Sequence, residues 1–501
     1  MNCRGAAGKR ERSHLPVTGS GASMPESVPM EGEKMKATTR RLGVLAIAGL
    51  LVMSGCSRAT STTTKKTADS QTSGSSPGDF GTMKAVCGKG TGHNIATGRG
   101  VTADSIKLGT ISDAGFAALP GTNQELWDAS EVFTKWCNSL GGINGRKIIF
   151  QRLDAAVTQY KQVVLEACQE DFALVGGGGA FDATGQSDRL KCLLPAWPGF
   201  VATPEARGSD FQWQPLPIPL NQYNNGLPKW LKAKYPDSIG HVGYLTGNVP
   251  VSVSAKDQYK EVFQQIGMNA PGGYDQQYNI MGESTYIPFV SVMKQQGVKG
   301  VVWTGDPEQL GKVEQAMAAI DYKPDWIFGG VNSYAKNFIQ SAGASLLPTY
   351  ATLDFVPFED TNPNTIAGRA MGQYLSLFNK YNPTGRSHAA LGVNAFAGWL
   401  LFAQGADACG ANLTAKCMYN EMQHTTKFTA GGLTGQVEVA AQAPTQCYTA
   451  VVATPSGFKT VDVHPNESVF NCTPDNIVTL TGNYGKGVTL ADVGKSVADL
   501  K

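Results

Sequence analysis

The sequence predicts an α/β protein with two Rossmann-like lobes, each a mainly parallel sheet flanked by helices, joined by a multi-strand hinge. Three observations predict it. Short apolar runs alternate with helix-length amphipathic segments, the pattern of βαβ units. A proline-dense stretch, Pro215-Leu216-Pro217-Ile218-Pro219, interrupts that alternation, after which it begins again. The chain has 501 residues, more than one hydrophobic core fills and enough for two.

The first series opens with a strand at Ser105–Ile111, ending in the turn Ser112-Asp113-Ala114-Gly115-Phe116. A helix over 125–140 carries an aromatic stripe of Trp127, Phe133 and Trp136, and the glycines at 141, 142 and 145 stop it. A strand at Lys147–Gln151, a helix through Val163, Val164 and Ala167, and a strand at Phe172–Val175 follow. Gly176-Gly177-Gly178-Gly179 ends that strand, and a helix runs near 186–190. Beyond the prolines, strands are predicted at 241–245, 300–303 and 325–330, with helices over 255–266, 286–296 and 309–320. The segment 352–358 returns to the first lobe, where helices over 365–381 and 392–406 complete it. Late strands at 447–452 and 458–463 rejoin the second lobe. The first lobe is therefore 101–220 with 356–445, the second 221–355 with 446–475, and 476–501 a C-terminal extension.

The N-terminal region has a different character. Met35 to Arg41 is short and basic, Leu42 to Met53 is apolar, and Ser54-Gly55-Cys56 follows. That order describes an export signal over 35–55, with an apolar run too short to remain as a membrane span. Leu51-Val52-Met53-Ser54-Gly55-Cys56 resembles a lipobox, which implies cleavage before Cys56 and diacylation of its thiol. Plain secretion, with Cys56 a chance neighbour, is the alternative. Residues 1–34 read as an over-extended start, and 56–100 as a flexible tether and leader, Ser/Thr/Lys-rich as far as about Gly78.

Export gives the cysteines a meaning. Apart from Cys3 and Cys56, the set is Cys87, Cys137, Cys168, Cys192, Cys409, Cys417, Cys447 and Cys472. An even set in an oxidising compartment predicts disulfides. Sequence proximity favours Cys87–Cys137, Cys168–Cys192, Cys409–Cys417 and Cys447–Cys472, although sequence alone leaves the connectivity open. No CxxC occurs and no histidine clusters with cysteines at ligand spacing, which disfavours a metal site. Lys+Arg 42 against Asp+Glu 40 offers no concentrated basic surface for nucleic acid.

The order of elements resembles the type I periplasmic-binding fold, and more narrowly the branched-chain amino acid binding family of ABC importers. The stretches that carry the resemblance are Ile106-Lys107-Leu108-Gly109, Asp154-Ala155-Ala156 with the Val163-Val164 helix, and Phe172-Ala173-Leu174-Val175-Gly176. Val301 to Glu308, Gly392-Val393-Asn394-Ala395-Phe396 and Gly431-Gly432-Leu433-Thr434-Gly435 extend it across roughly residues 100–465. The resemblance implies a lipid-anchored monomer at the outer face of a bacterial membrane. It would close on a small polar solute, an amino acid or related amide, and deliver it to a permease and its ATPase, with no cofactor.

Ligands of open parallel sheets sit beyond the carboxyl ends of the strands. That rule nominates Asp113 and Phe116 after the opening strand. It also nominates Gly179, Ala180, Phe181, Asp182 and Thr184 in the glycine-rich turn, where main-chain N–H groups can receive a carboxylate. Trp197, stiffened by Pro198, is a candidate stacking surface. From the second lobe come Tyr244, Thr246, Trp303, Asp306, Asn332 and Tyr334. Each has a plainer alternative as a packed turn or strand-end residue. Asn332 falls near the place where amino-acid-binding relatives carry a carboxylate for the ammonium group, and asparagine offers no charge. The competing functions are a receptor-like sensor of the same fold and an exported hydrolase. The GxSxG elbow is absent, and none of His14, His93, His241, His388, His424 and His464 has an evident nucleophile beside it.

Overall fold

The computed structural model describes residues 76–90, 92–268 and 273–501. The predicted export signal, Cys56 and the greater part of the predicted Ser/Thr/Lys-rich tether lie outside them.

The first lobe contains β1 (Ser105–Ser112), α1 (Gln124–Leu140), β2 (Lys147–Asp154), α2 (Tyr160–Glu170), β3 (Ala173–Val175), α3 (Ala183–Lys191), β4 (Ala196–Trp197) and α4 (Pro204–Arg207). The second follows with β5 (Gln222–Asn224), α5 (Gly226–Lys234), β6 (Val242–Gly247), α6 (Pro250–Gln265), β7 (Asp275–Tyr278) and α7 (Ile287–Gln295). It continues with β8 (Gly300–Thr304), α8 (Pro307–Ala319), β9 (Trp326–Phe328), α9 (Lys336–Ala342) and β10 (Thr349–Leu353). The chain then returns to the first lobe for α10 (Ile366–Tyr381), α11 (Ala390–Cys409) and α12 (Ala415–His424). It ends with β11 (Cys447–Thr454), β12 (Gly457–Thr460), β13 (Asn471–Cys472) and β14 (Ile477–Thr479).

The first sheet runs β2-β1-β3-β4 and is parallel throughout. The second runs β12-β11-β10-β9-β8-β6-β7, parallel from β10 to β7, with β11 antiparallel to β10, β12 and β13. Both lobes thus share the doubly wound order in which the first strand lies between the second and the third. The central strands β6 and β8 are buried along their whole length, as parallel strands covered by helices must be. Helix α11 is apolar on nearly every face because it runs through the first-lobe core, where Phe396, Trp399 and Phe402 meet Phe133 and Trp197. No helix among the described residues is long and apolar enough to cross a membrane.

The leader is not loose at its end. Phe80 is fully buried against Trp136 and Phe396, and Val86 and Cys87 join the same core. The flexible segment predicted to reach residue 100 therefore gives way to lobe structure by Phe80. The cysteines pair as Cys87–Cys137, Cys168–Cys192, Cys409–Cys417 and Cys447–Cys472.

Three crossings join the lobes, near 213–222, 354–356 and 434–447, and they are laced together. Gly435 N–H donates to the Asp354 carbonyl at 2.8 Å and Val356 N–H to Leu433 at 2.9 Å. The Asn224 amide donates to the Thr445 carbonyl at 3.1 Å. The C-terminal segment adds a further connection. β14 pairs antiparallel with β5, then Val488 and Leu490 bond Glu205 and Asp210 of the first lobe, and Lys416 N–H donates to the Lys501 carbonyl.

Candidate functional site

A cavity of about 220 Å³ lies between the lobes, beside the crossings. The first lobe supplies the loop after β4, Pro198 to Val201, together with Leu391 and Asn394 of α11. The second supplies Tyr259 of α6, Val331 and Asn332 after β9, and Tyr448 of β11. The crossings themselves supply Gln214 to Ile218 and Asp354. Proline, leucine, isoleucine, valine and aromatic side chains dominate the wall, and no lysine, arginine or histidine among the described residues lines it.

Local structure explains how this wall is held. Asp182 is buried at the start of α3, where its carboxylate accepts Ala202 N–H at 2.7 Å, Thr203 N–H at 3.0 Å and the Thr203 hydroxyl at 2.6 Å. Burial pushes its acid up to about 6, against the pull of these donors. The bonds clamp the end of the Pro198–Val201 loop. Gly199 lets that loop approach α11, since a Cβ there would come within 2.7 Å of the Ala395 Cα. Across the cavity, the Tyr223 and Tyr259 rings meet edge to face at 5.1 Å.

Of the sequence-nominated residues, only Asn332 lines the cavity. Asp113 is buried with its oxygens occupied by Val157 N–H at 2.8 Å, Ala180 N–H at 2.8 Å and the Asn123 amide at 3.1 Å. It ties three strand-end loops of the first lobe together. Gly179 makes room for the Tyr160 ring, which a Cβ would meet at 2.7 Å. Phe181 and Thr184 are exposed, Ala180 and Phe116 half-buried, and none of them reaches the cavity.

Trp197 is fully buried in the first-lobe core, 5.0 Å from Trp213 and 5.1 Å from Phe402 between ring centroids. Trp303 stacks on Tyr278 at 4.5 Å inside the second lobe. Tyr244 and Thr246 are buried there as well, with hydroxyls that have no hydrogen-bond partner among the described residues. Asp306 caps α8, accepting Glu308 N–H at 2.9 Å and Gln309 N–H at 3.1 Å. Tyr334 is core, stacked on Phe358 at 5.1 Å, and its hydroxyl donates to Glu359.

The sequence-based choice missed Phe200, Tyr223, Tyr259, Asp354, Asn394 and Tyr448. The available signal was the proline-rich crossing itself, Pro215 to Pro219, most of which forms cavity wall.

Two doubly wound lobes, laced crossings and a cavity between them define a two-lobed solute-binding protein. Residues 105–458 match the periplasmic binding protein family, and the chain belongs to it. Solved structures share the fold. A fatty acid ABC transporter substrate-binding protein from Thermomonospora curvata superposes with a TM-score of 0.62 at 16% identity, covering 75% of this chain and 97% of its own. A leucine-binding protein from Thermotoga maritima gives 0.58 at 13%, covering 74% and 99%. An ABC transporter solute-binding protein from R. palustris, in complex with 4-hydroxybenzoate, gives 0.59 at 13%, covering 74% and 98%. No curated protein matches at a significant level. The family makes this chain a solute-binding protein of the periplasmic-binding type.

Proposed function

We propose that this protein captures a small, mostly apolar solute between its lobes and delivers it to a membrane permease, held at the membrane by lipid on Cys56. The carrying observation is the cavity wall: Phe200, Leu216, Ile218, Val331 and Leu391 with several prolines, and no basic side chain. An apolar cavity of roughly 150 Å³ holds benzene, so about 220 Å³ suits one ring with a short chain. A free amino acid fits this wall poorly. Its carboxylate meets no cation in this wall.

The test is a thermal-shift panel on the purified chain, because a ligand that binds the folded state raises its melting temperature by mass action. Saturable stabilisation by small aromatic or short-chain amphiphiles, with little effect from sugars or free leucine, is the expected outcome. Stabilisation by leucine or isoleucine above all amphiphiles would overturn the assignment. The anchor is tested separately, since Cys56→Ser should release the protein from the membrane fraction into the medium.

A further inference from the structure

Resting on the apolar-solute assignment, we infer that Asp354 sets the solute's polar end, and that the solute carries a protonated amine which the Asp354 carboxylate receives. Asp354 stands where β10 leaves the second lobe for the first, half-buried and lining the cavity. Among the described residues it is the one carboxylate in the wall. Its main-chain carbonyl is engaged by Gly435 N–H, whereas its carboxylate meets no donor among the other described residues beyond its own main-chain N–H, and no ion pair among them includes it. Beside it in the lining are Tyr223, Asn224, Thr445 and the Cys447 disulfide, none of them cationic.

A second oxygen points to the same chemistry. The Asn394 side-chain carbonyl, also in the wall, is buried without a hydrogen-bond partner among the described residues. Buried polar groups are normally paired, and an unpaired charge in such a place is costly. Burial pushes the Asp354 acid up to about 6 against the pull of its own main-chain N–H, so near neutral pH the group is still ionised with no cationic side chain in the lining to meet it. An ammonium group supplies charge and up to three N–H donors, enough for the carboxylate and the amide oxygen together. A carboxylate solute would instead set like charge against Asp354. An alcohol would satisfy one acceptor without neutralising the charge.

The test is titration calorimetry at pH 7.5 on the full chain with an isosteric series: 4-phenylbutylamine, 4-phenylbutanol and 4-phenylbutyrate. Charge-assisted hydrogen bonds predict that the amine binds about 10- to 100-fold tighter than the alcohol, and that the acid binds most weakly. Asp354→Asn should abolish the preference for amine over alcohol, with a cooperative melting transition certifying that the variant is folded. The wild-type comparison stands even where the variant does not fold. Binding of alcohol or acid with no amine preference overturns this inference and leaves the apolar-solute assignment standing. A preference that survives Asp354→Asn overturns the role of Asp354. Failure of all three probes overturns the apolar-solute assignment and this inference with it.

Discussion

The Tyr484 hydroxyl donates to the Glu261 carboxylate at 2.6 Å, fastening the C-terminal segment to α6 of the second lobe. Glu261 also accepts Thr481 N–H at 2.6 Å, the Thr481 hydroxyl at 2.8 Å and Gly482 N–H at 3.1 Å. Residues further along bond the first lobe, so this carboxylate is one anchor of a strap that spans both. Glu261→Ala should destabilise the protein by roughly 1–3 kcal/mol, read as a lower melting temperature. Burial alone would raise its acid, yet the Tyr484 hydroxyl and the Thr481 and Gly482 donors hold it down at about 2. A depressed carboxylate stabilises the fold above its ordinary value of 4.5 and loses that contribution as pH falls toward 2. The gap in melting temperature between wild type and Glu261→Gln should therefore be full at pH 6 and narrow on acidification.

Glu314 predicts the opposite pH dependence. It is fully buried on α8, where its carboxyl group meets the Thr349 hydroxyl at 2.5 Å and Leu347 N–H at 3.0 Å. Burial outweighs these donors and pushes its acid up to about 8. Between about pH 4.5 and 8 the unfolded chain releases this proton and the folded chain keeps it, so stability falls as pH rises. Glu314→Gln mimics the protonated form. It should raise the melting temperature at pH 8 and leave it nearly unchanged at pH 4. An equal effect at both values would contradict the assignment.

The lobes were legible because their signal is local. The apolar runs at Ile106–Ile111 and Val301–Trp303 stand as central strands, and the Pro215–Pro219 break falls at a crossing. Short or polar elements carried little pattern. β7, Asp-Gln-Gln-Tyr, has a single fully buried residue, and β5 and β14 are three residues each and pair as strands with one another alone among the described residues. The site was less legible for a geometric reason. Asp113, Gly179 and Asp306 follow strands at the middle of each sheet and Thr246 lies near the end of one, where doubly wound folds most often bind. The cavity instead forms beyond β4, β9 and β10, against the crossings. Its key wall residues, Asp354 and Asn394, both line the cavity but come from chain segments that sequence spacing does not relate.

Asp306 tests the boundary between scaffold and site. As the cap of α8, its replacement by alanine should cost roughly 1 kcal/mol. Asp306→Asn retains a side-chain acceptor and should recover most of the loss. Solute affinity should be unchanged in both variants, because Asp306 does not line the cavity. A large affinity loss in Asp306→Asn with an unchanged melting temperature would place this residue at the ligand after all.

The disulfides should differ in value according to the chain they close. Cys87–Cys137 spans 50 residues and Cys409–Cys417 only 8. Loop-closure entropy assigns roughly 4 kcal/mol to the longer loop and roughly 2.5 kcal/mol to the shorter. The longer bridge also pins Phe80 and Val86 to the first-lobe core through α1, whereas the shorter joins α11 and α12, which already pack together. The double variant Cys87→Ala/Cys137→Ala should therefore melt at a lower temperature than Cys409→Ala/Cys417→Ala. It should also expose the leader before Cys87 to limited proteolysis, with the rest of the chain still folded. Equal melting temperatures would show that the leader is held by its apolar contacts alone, with the long bridge adding nothing to them.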